Sequence, residues 1–164
     1  MTRLSIVSAV FTSLLFSHIA VAAPVKACSY MTPQTASAAL GSPVGTGEEQ
    51  TLTMAGEQCV FSHEDPAAPG EITFGVGDIN AVAAGFGASA ATVLPIIKDA
   101  AHGQTNETIP SLGEWNAYAW NCLTDYTLTV IYHGKVLTLG TSGAKNPNLK
   151  TALVQTMRQI MQKF

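Results

Sequence analysis

The chain reads as an α+β domain, an antiparallel sheet with helices packed on it, in the order α-βββ-α-βββ(β)-α. Three observations carry that expectation. Glu71–Asp78 sets Ile72, Phe74 and Val76 against smaller or polar neighbours, and Tyr126–His133 sets Tyr126, Leu128, Val130 and Tyr132 against Thr127, Thr129, Ile131 and His133. That two-residue period belongs to half-buried strands. Turn-forming residues separate neighbouring extended runs closely enough for hairpins. Finally, Leu149, Leu153, Met157, Ile160 and Phe164 recur at spacings of three and four, the stripe of a helix that lies on a sheet.

Taken in order, Thr32-Pro33 supplies an N-cap and a proline at the first helical position, and Gly41 with Pro43 ends a short helix over Pro33–Leu40. Gly45 to Gln50 is expected as a polar loop. Thr51–Ala55 and Gln58–His63 follow as strands around a tight Gly56-Glu57 turn, then a proline-containing loop from Asp65 to Gly70, then the strand Glu71–Asp78. Residues 79–103, rich in Ala and Gly, predict a helix ending at Gly103. Pro95 there either falls in the first turn of a helix starting near Thr92 or kinks a longer one. Asn116–Cys122, Tyr126–His133 and Lys135–Thr141 form a meander with turns at Thr124-Asp125 and Gly134-Lys135. Asn146 is expected to cap the last helix and Pro147 to open it.

Residues 1–22 have the form of an export signal. Arg3 gives a positive start, Leu4 to Ile19 is apolar apart from small hydroxyl residues and His18, and Ala20-Val21-Ala22 offers small residues for cleavage after Ala22. The stretch is too short and poorly flanked for a stable membrane span. Val25-Lys26-Ala27-Cys28 resembles a lipid-attachment site only superficially, because Pro24 and Lys26 interrupt the apolar run before the cysteine. A mature chain starting at Ala23, unlipidated, with a linker over residues 23–27 and one domain over 28–164, is therefore expected in the periplasm or the medium.

Loss of Arg3 leaves seven basic against eleven acidic residues, a net charge of −4. Nucleic-acid binding needs the opposite balance. Acid is concentrated in residues 48–78, and base follows Asp125 as Lys135, Lys145, Lys150, Arg158 and Lys163. The bases are spaced as on a solvated face rather than clustered.

Chemistry-bearing residues are sparse. Cys28, Cys59 and Cys122 allow at most one internal bridge, either Cys28–Cys59 or Cys59–Cys122. Cys122 lies in the apolar run Tyr118-Ala119-Trp120-Asn121-Cys122, where a buried thiol is inert; as a nucleophile it would need His133 as its base. His63, His102 and His133 are isolated and lack zinc-ligand spacing, so neither metal nor cofactor is implied. Gly85-x-Gly87-x-x-Ala90 has no downstream acid to read a ribose, and Gly140-Thr141-Ser142-Gly143 has the wrong glycine spacing for a nucleophile elbow. The aromatic residues Trp115, Tyr118, Trp120, Tyr126 and Tyr132 on adjacent strands are the candidates for a ligand groove.

Cys28-Ser29-Tyr30-Met31-Thr32 before a short helix, Leu40-Gly41-x-Pro43, Cys59-x-Phe61, Pro110-x-Leu112-Gly113-Glu114, Ala117-Tyr118-Ala119 and the closing amphipathic helix form a recognisable series. It resembles the small exported domains of unknown function found among bacterial envelope lipoproteins, particularly of actinobacteria. The resemblance implies an α+β envelope domain, a bridge between the first two cysteines, which leaves Cys122 a free thiol, and no established enzymatic activity. The expected function is thus a non-catalytic envelope module binding a small apolar ligand or an envelope protein. A secreted hydrolase with a dispersed site, or an inhibitor of an external hydrolase, is the alternative, although no Gln-x-Val-x-Gly inhibitory loop is present.

Overall fold

A computed structural model describes residues 26–52, 56–102, 105–121 and 125–164. The signal over residues 1–22, its cleavage point, and Cys122 lie outside these ranges. Seven strands form a single antiparallel sheet: β1 (Glu48–Leu52), β2 (Gly56–Ser62), β3 (Glu71–Asp78), β4 (Thr105–Glu107), β5 (Trp115–Asn121), β6 (Asp125–Tyr132) and β7 (Lys135–Ser142). Their spatial order is β1-β2-β3-β7-β6-β5-β4. Two meanders therefore meet at the β3–β7 seam, where Glu71 pairs with Ser142 and Asp78 with Lys135.

The topology explains the middle of the chain. After β3 the backbone must reach the far edge of the sheet, four strand spacings or about 19 Å away. It does so with two helices, α2 (Ile79–Gly85) and α3 (Ala90–Ala100), bent by 100° at the turn between them. Ser89 caps α3 by accepting the amide of Thr92, and Pro95 sits inside the helix, beyond its first turn. The expected single helix is thus two, and the break falls at Phe86–Ala88 rather than at the proline. No single helix among the described residues is long and apolar enough to cross a membrane.

The opposite face carries α1 (Pro33–Leu40) and α4 (Leu149–Met161). Thr32 caps α1 as its sequence implies, accepting from the Thr35 amide, and Gly41 closes it at φ +81°. A side chain there would both strain the backbone and collide with Asn146, 2.7 Å from the position of a Cβ. Beneath these helices lie Phe61, Ile72, Phe74, Leu128, Leu137 and Leu139, all essentially inaccessible, with Leu40, Leu153, Met157 and Ile160 coming down from above. Burying each such side chain stabilises the fold by about 1.5–3 kcal/mol before ordering costs. Alternation sends Val60, Ala117, Ala119, Thr129 and Ile131 to the other face, where they are also buried.

Several boundaries differ from the sequence expectation. Gly56-Glu57 is not a turn: Gly56 pairs with Leu52 and Glu57 with Thr51, so both belong to β2. Glu48–Gln50 is strand rather than loop, and ladder bonds to β2 decide this where side-chain pattern does not. Ala27, expected in a linker, opens a short 3-10 turn (Ala27–Ser29) and is fully buried. The second hairpin turns on His133-Gly134, both at positive φ, instead of Gly134-Lys135. At the C-terminus α4 starts at Leu149, so Asn146 does not cap it, and Phe164 lies beyond its end, stacked on Tyr30 at 4.5 Å.

Candidate functional site

Tyr118 of β5 and Tyr126 of β6 project from the α4 side of the sheet, near its β4 edge. Their rings stack nearly parallel, with centroids 5.4 Å apart and planes 6° from each other. They form one wall of a groove of about 390 Å³, whose other wall is the chain entering α4, with Asn146, Pro147, Asn148, Lys150 and Thr151. The Lys150 ammonium stands 5.9 Å from the centre of the Tyr118 ring and is ion-paired with Glu107 of β4. Beyond that ion pair a second hollow of about 260 Å³ continues between Ile109-Pro110 and Val154, Gln155 and Arg158 of α4.

Local bonding fixes both walls. Asn146 is the hinge of one: its side-chain amide donates to the carbonyls of Ala38 and Ala39 at 3.0 and 3.2 Å, and the backbone amides of Lys145 and Asn146 donate to Leu40. The last carbonyls of α1, which a helix leaves without internal partners, are thereby satisfied by the lead-in to α4. The Asn146 side-chain oxygen accepts from the Asn148 amide at 2.9 Å, which shapes the turn into the helix. On the other side Asn116 of β5 is buried and fully used. It accepts from the Ile109 amide at 2.7 Å and donates to the carbonyls of Ile109 and Leu112 at 2.9 and 2.6 Å. That single side chain holds the 109–112 loop in place without leaving a buried polar group unpaired.

Burial pushes the Tyr118 phenol up to about 12, with Tyr126 and Glu107 adding to the effect because each disfavours a second negative charge beside it. Tyr118 is therefore a neutral hydroxyl at any physiological pH, a hydrogen-bond partner and not a base. Lys150 and Glu107 neutralise each other, so the groove presents aromatic faces and amides with one compensated ion pair.

The structure divides the aromatic residues that sequence grouped together. Tyr118 and Tyr126 line the groove. Trp120 pairs with Tyr126 in register and Tyr132 lies farther along the same side of β6, but neither enters its lining. Tyr132 instead meets the edge of His133 at 4.0 Å. Trp115 is a correction: it lies on the opposite face, in the Trp115–Ile131 pair, with Lys98 at 5.7 Å and His102 at 5.9 Å from α3 and its end. Its odd spacing from Tyr118 is the signal that separates them.

Cys28 and Cys59 are joined by a disulfide, S–S 2.03 Å, which ties the 3-10 turn to β2. Glu49, the register partner of Cys59, adds a second tie by accepting the amides of Ala27 and Cys28. The pairing of Cys122 with His133 as nucleophile and base falls outside the described residues. His63 serves its own loop, its ring nitrogen accepting from the Asp65 amide at 3.0 Å. Among the described residues no three His, Cys, Asp or Glu side chains converge as a metal site. The contributors that the aromatic pattern did not indicate are Glu107, Asn146, Asn148 and Lys150, brought together from β4, the α4 lead-in and the first turn of α4.

No protein-family model, curated protein or solved structure matches this chain.

Proposed function

We propose that the chain is an exported, non-catalytic envelope module that holds a small apolar ligand against the Tyr118–Tyr126 pair. The observation that carries this is the groove itself: two stacked phenol rings facing a bonded turn, with a volume in the range of small-molecule sites. The polar groups around it suit orientation. Tyr118 stays protonated, Asn146 and Asn148 lie along one wall, and the Lys150 charge is neutralised by Glu107. Export rests on the form of residues 1–22, and the Cys28–Cys59 disulfide accords with an oxidising compartment such as the periplasm or the medium. The resemblance of the short motifs from Cys28 to Ala119 to those of small actinobacterial envelope domains is in keeping with the same reading.

Native mass spectrometry of the protein recovered from its own host tests this. The expected result is a retained small apolar adduct that is lost in Tyr118→Ser and Tyr126→Ser proteins whose circular dichroism shows them still folded. A bare protein, or an adduct indifferent to both substitutions, overturns the groove as the site. A co-purifying envelope protein released by the same substitutions would make the occupant a protein rather than a small molecule.

A further inference from the structure

The α2–α3 hairpin lies across the face of the sheet away from the tyrosine groove, and its surface is unlike the rest of the molecule. Phe86 at its turn and Ile96 on α3 are each 63% exposed, the two most exposed large apolar side chains among the described residues. Residues 79–97 contain no charged side chain. The outward stripe of α3 runs Ala91, Thr92, Pro95, Ile96, and a charge returns to it only at Asp99. A helix face turned to water ordinarily carries charge, as α4 does with Arg158 and Lys163 following it.

We propose that this hairpin docks on the surface of a lipid bilayer, with Phe86 and the Ala91–Ile96 face entering the headgroup and upper acyl region. Hydrocarbon requires backbone groups to be satisfied internally. Three amides of the tip meet that condition, those of Phe86, Gly87 and Ala88, which donate to Ala83 and Ala84. The Ser89 carbonyl accepts from Thr92 and Val93, and the Ser89 and Thr92 hydroxyls bond each other at 2.9 Å. Charge complementarity points the same way, because an uncharged face matches an acyl region and offers a protein partner no ionic rim. Lys98 beside Trp115 marks the hairpin's base, a pair suited to the headgroup level. Area separates lipid from a second copy. A stable protein interface draws on about 20–30 residues a side, whereas the hairpin offers two large apolar side chains among Ala, Gly and Pro. Shallow insertion into lipid needs no more than a short apolar face.

The test is co-sedimentation of the chain, as its host exports it, with vesicles of phosphatidylcholine and with vesicles of phosphatidylcholine and phosphatidylglycerol in equal parts. Binding to both, with little dependence on salt, is expected. Phe86→Ser and Ile96→Ser should each lower the partition coefficient about tenfold. Thermal unfolding should not move in either variant, since both side chains are exposed. No sedimentation with either vesicle overturns the proposal, as does binding that survives both substitutions. Binding confined to phosphatidylglycerol and abolished by salt would place the contact on the basic residues of α4 instead. A concentration-dependent dimer that Phe86→Ser dissolves would make a second copy the occupant.

Discussion

The two faces of the sheet are covered by helices of similar length and opposite habit. α4 buries Leu149, Leu153, Val154, Thr156, Met157 and Ile160, whereas α3 buries Val93 alone. Apolar content does not explain this, since α3 is the more continuously apolar of the two. What differs is placement. In α4 the apolar positions keep to one stripe, and Gln155, Arg158 and Gln159 occupy the rest, so one orientation satisfies every residue. In α3, Val93, Leu94 and Ile97 lie toward the packed side, whereas Ile96 falls to the side shared with Thr92, Pro95 and Asp99, so the orientation that packs the others leaves it outside. A helix whose large apolar residues all face the sheet is a lid; a helix that leaves one of them outside still has an apolar surface to cover.

The same kind of deletion on each helix separates the two faces most strongly. Leu153→Ala should cost about 2–5 kcal/mol, because it empties a fully enclosed site. Ile96→Ala should stay within about 0.5 kcal/mol. Denaturant titration of both variants measures the gap, and equal losses would mean that α3 is as deeply seated as α4.

Removing the disulfide by replacing Cys28 and Cys59 with Ser should cost about 2–4 kcal/mol. Native-state hydrogen exchange should show faster exchange in the 3-10 turn, α1 and β2, with α2 and α3 little changed. Acceleration concentrated in α2–α3 would contradict the division of the fold into two independently tied faces.

Asn146→Ala removes the two side-chain bonds that join the lead-in of α4 to the end of α1. A loss of about 1–2 kcal/mol is expected, with α1 and α4 loosening together in hydrogen exchange. Loosening of α4 alone would show that the helices are coupled through the core rather than through this residue.

The smallest effect is electrostatic and belongs to the other face. Asp78 caps α2, accepting the amides of Asn80 and Ala81, and pairs with Lys135 at 2.7 Å. The hydrogen bond from Lys135 chiefly, helped by the Ala81 amide, holds its carboxyl below the ordinary 3.8. A depressed folded value means that the stabilisation is present above about pH 3.8 and is lost as pH falls through the folded value. Amides of α2 should therefore lose protection in acid before those of α4, and Asp78→Asn should remove the difference. Residues 126–164 contain no acid, so α4 has no corresponding carboxylate of its own.

Much of the fold was legible in the residues, and particular positions show why the rest was not. Alternation in Glu71–Asp78 and Tyr126–Tyr132 placed two of the central strands, because a half-buried strand writes its period into its own side chains. Thr32, Gly41 and the Leu149–Ile160 stripe located α1 and α4 for the same local reason. β1 and β4 were less visible, since polar edge strands such as Glu48-Glu49-Gln50 exist through ladder bonds to a neighbour distant in sequence. The candidate site divides likewise: Tyr118 and Tyr126 stood out as aromatics on adjacent strands, while Asn146, Asn148, Lys150 and Glu107 look like ordinary loop and surface residues.

The class of fold, the covering role of α4 and the three cysteines from which one bridge is drawn follow from the order of residues alone. These depend on intervals of a few residues, where period and capping act directly on the backbone. Folding in three dimensions was needed to settle that β7 returns beside β3, that Cys59 takes Cys28, and that Trp115 faces away from Tyr118 and Tyr126. It also decided that the crossover from β3 to β4 breaks at Phe86, with the apolar hairpin outside. Each of these is a choice among partners far apart along the chain. The free energy that settles it comes from burying a whole face at once, so no single segment carries the answer.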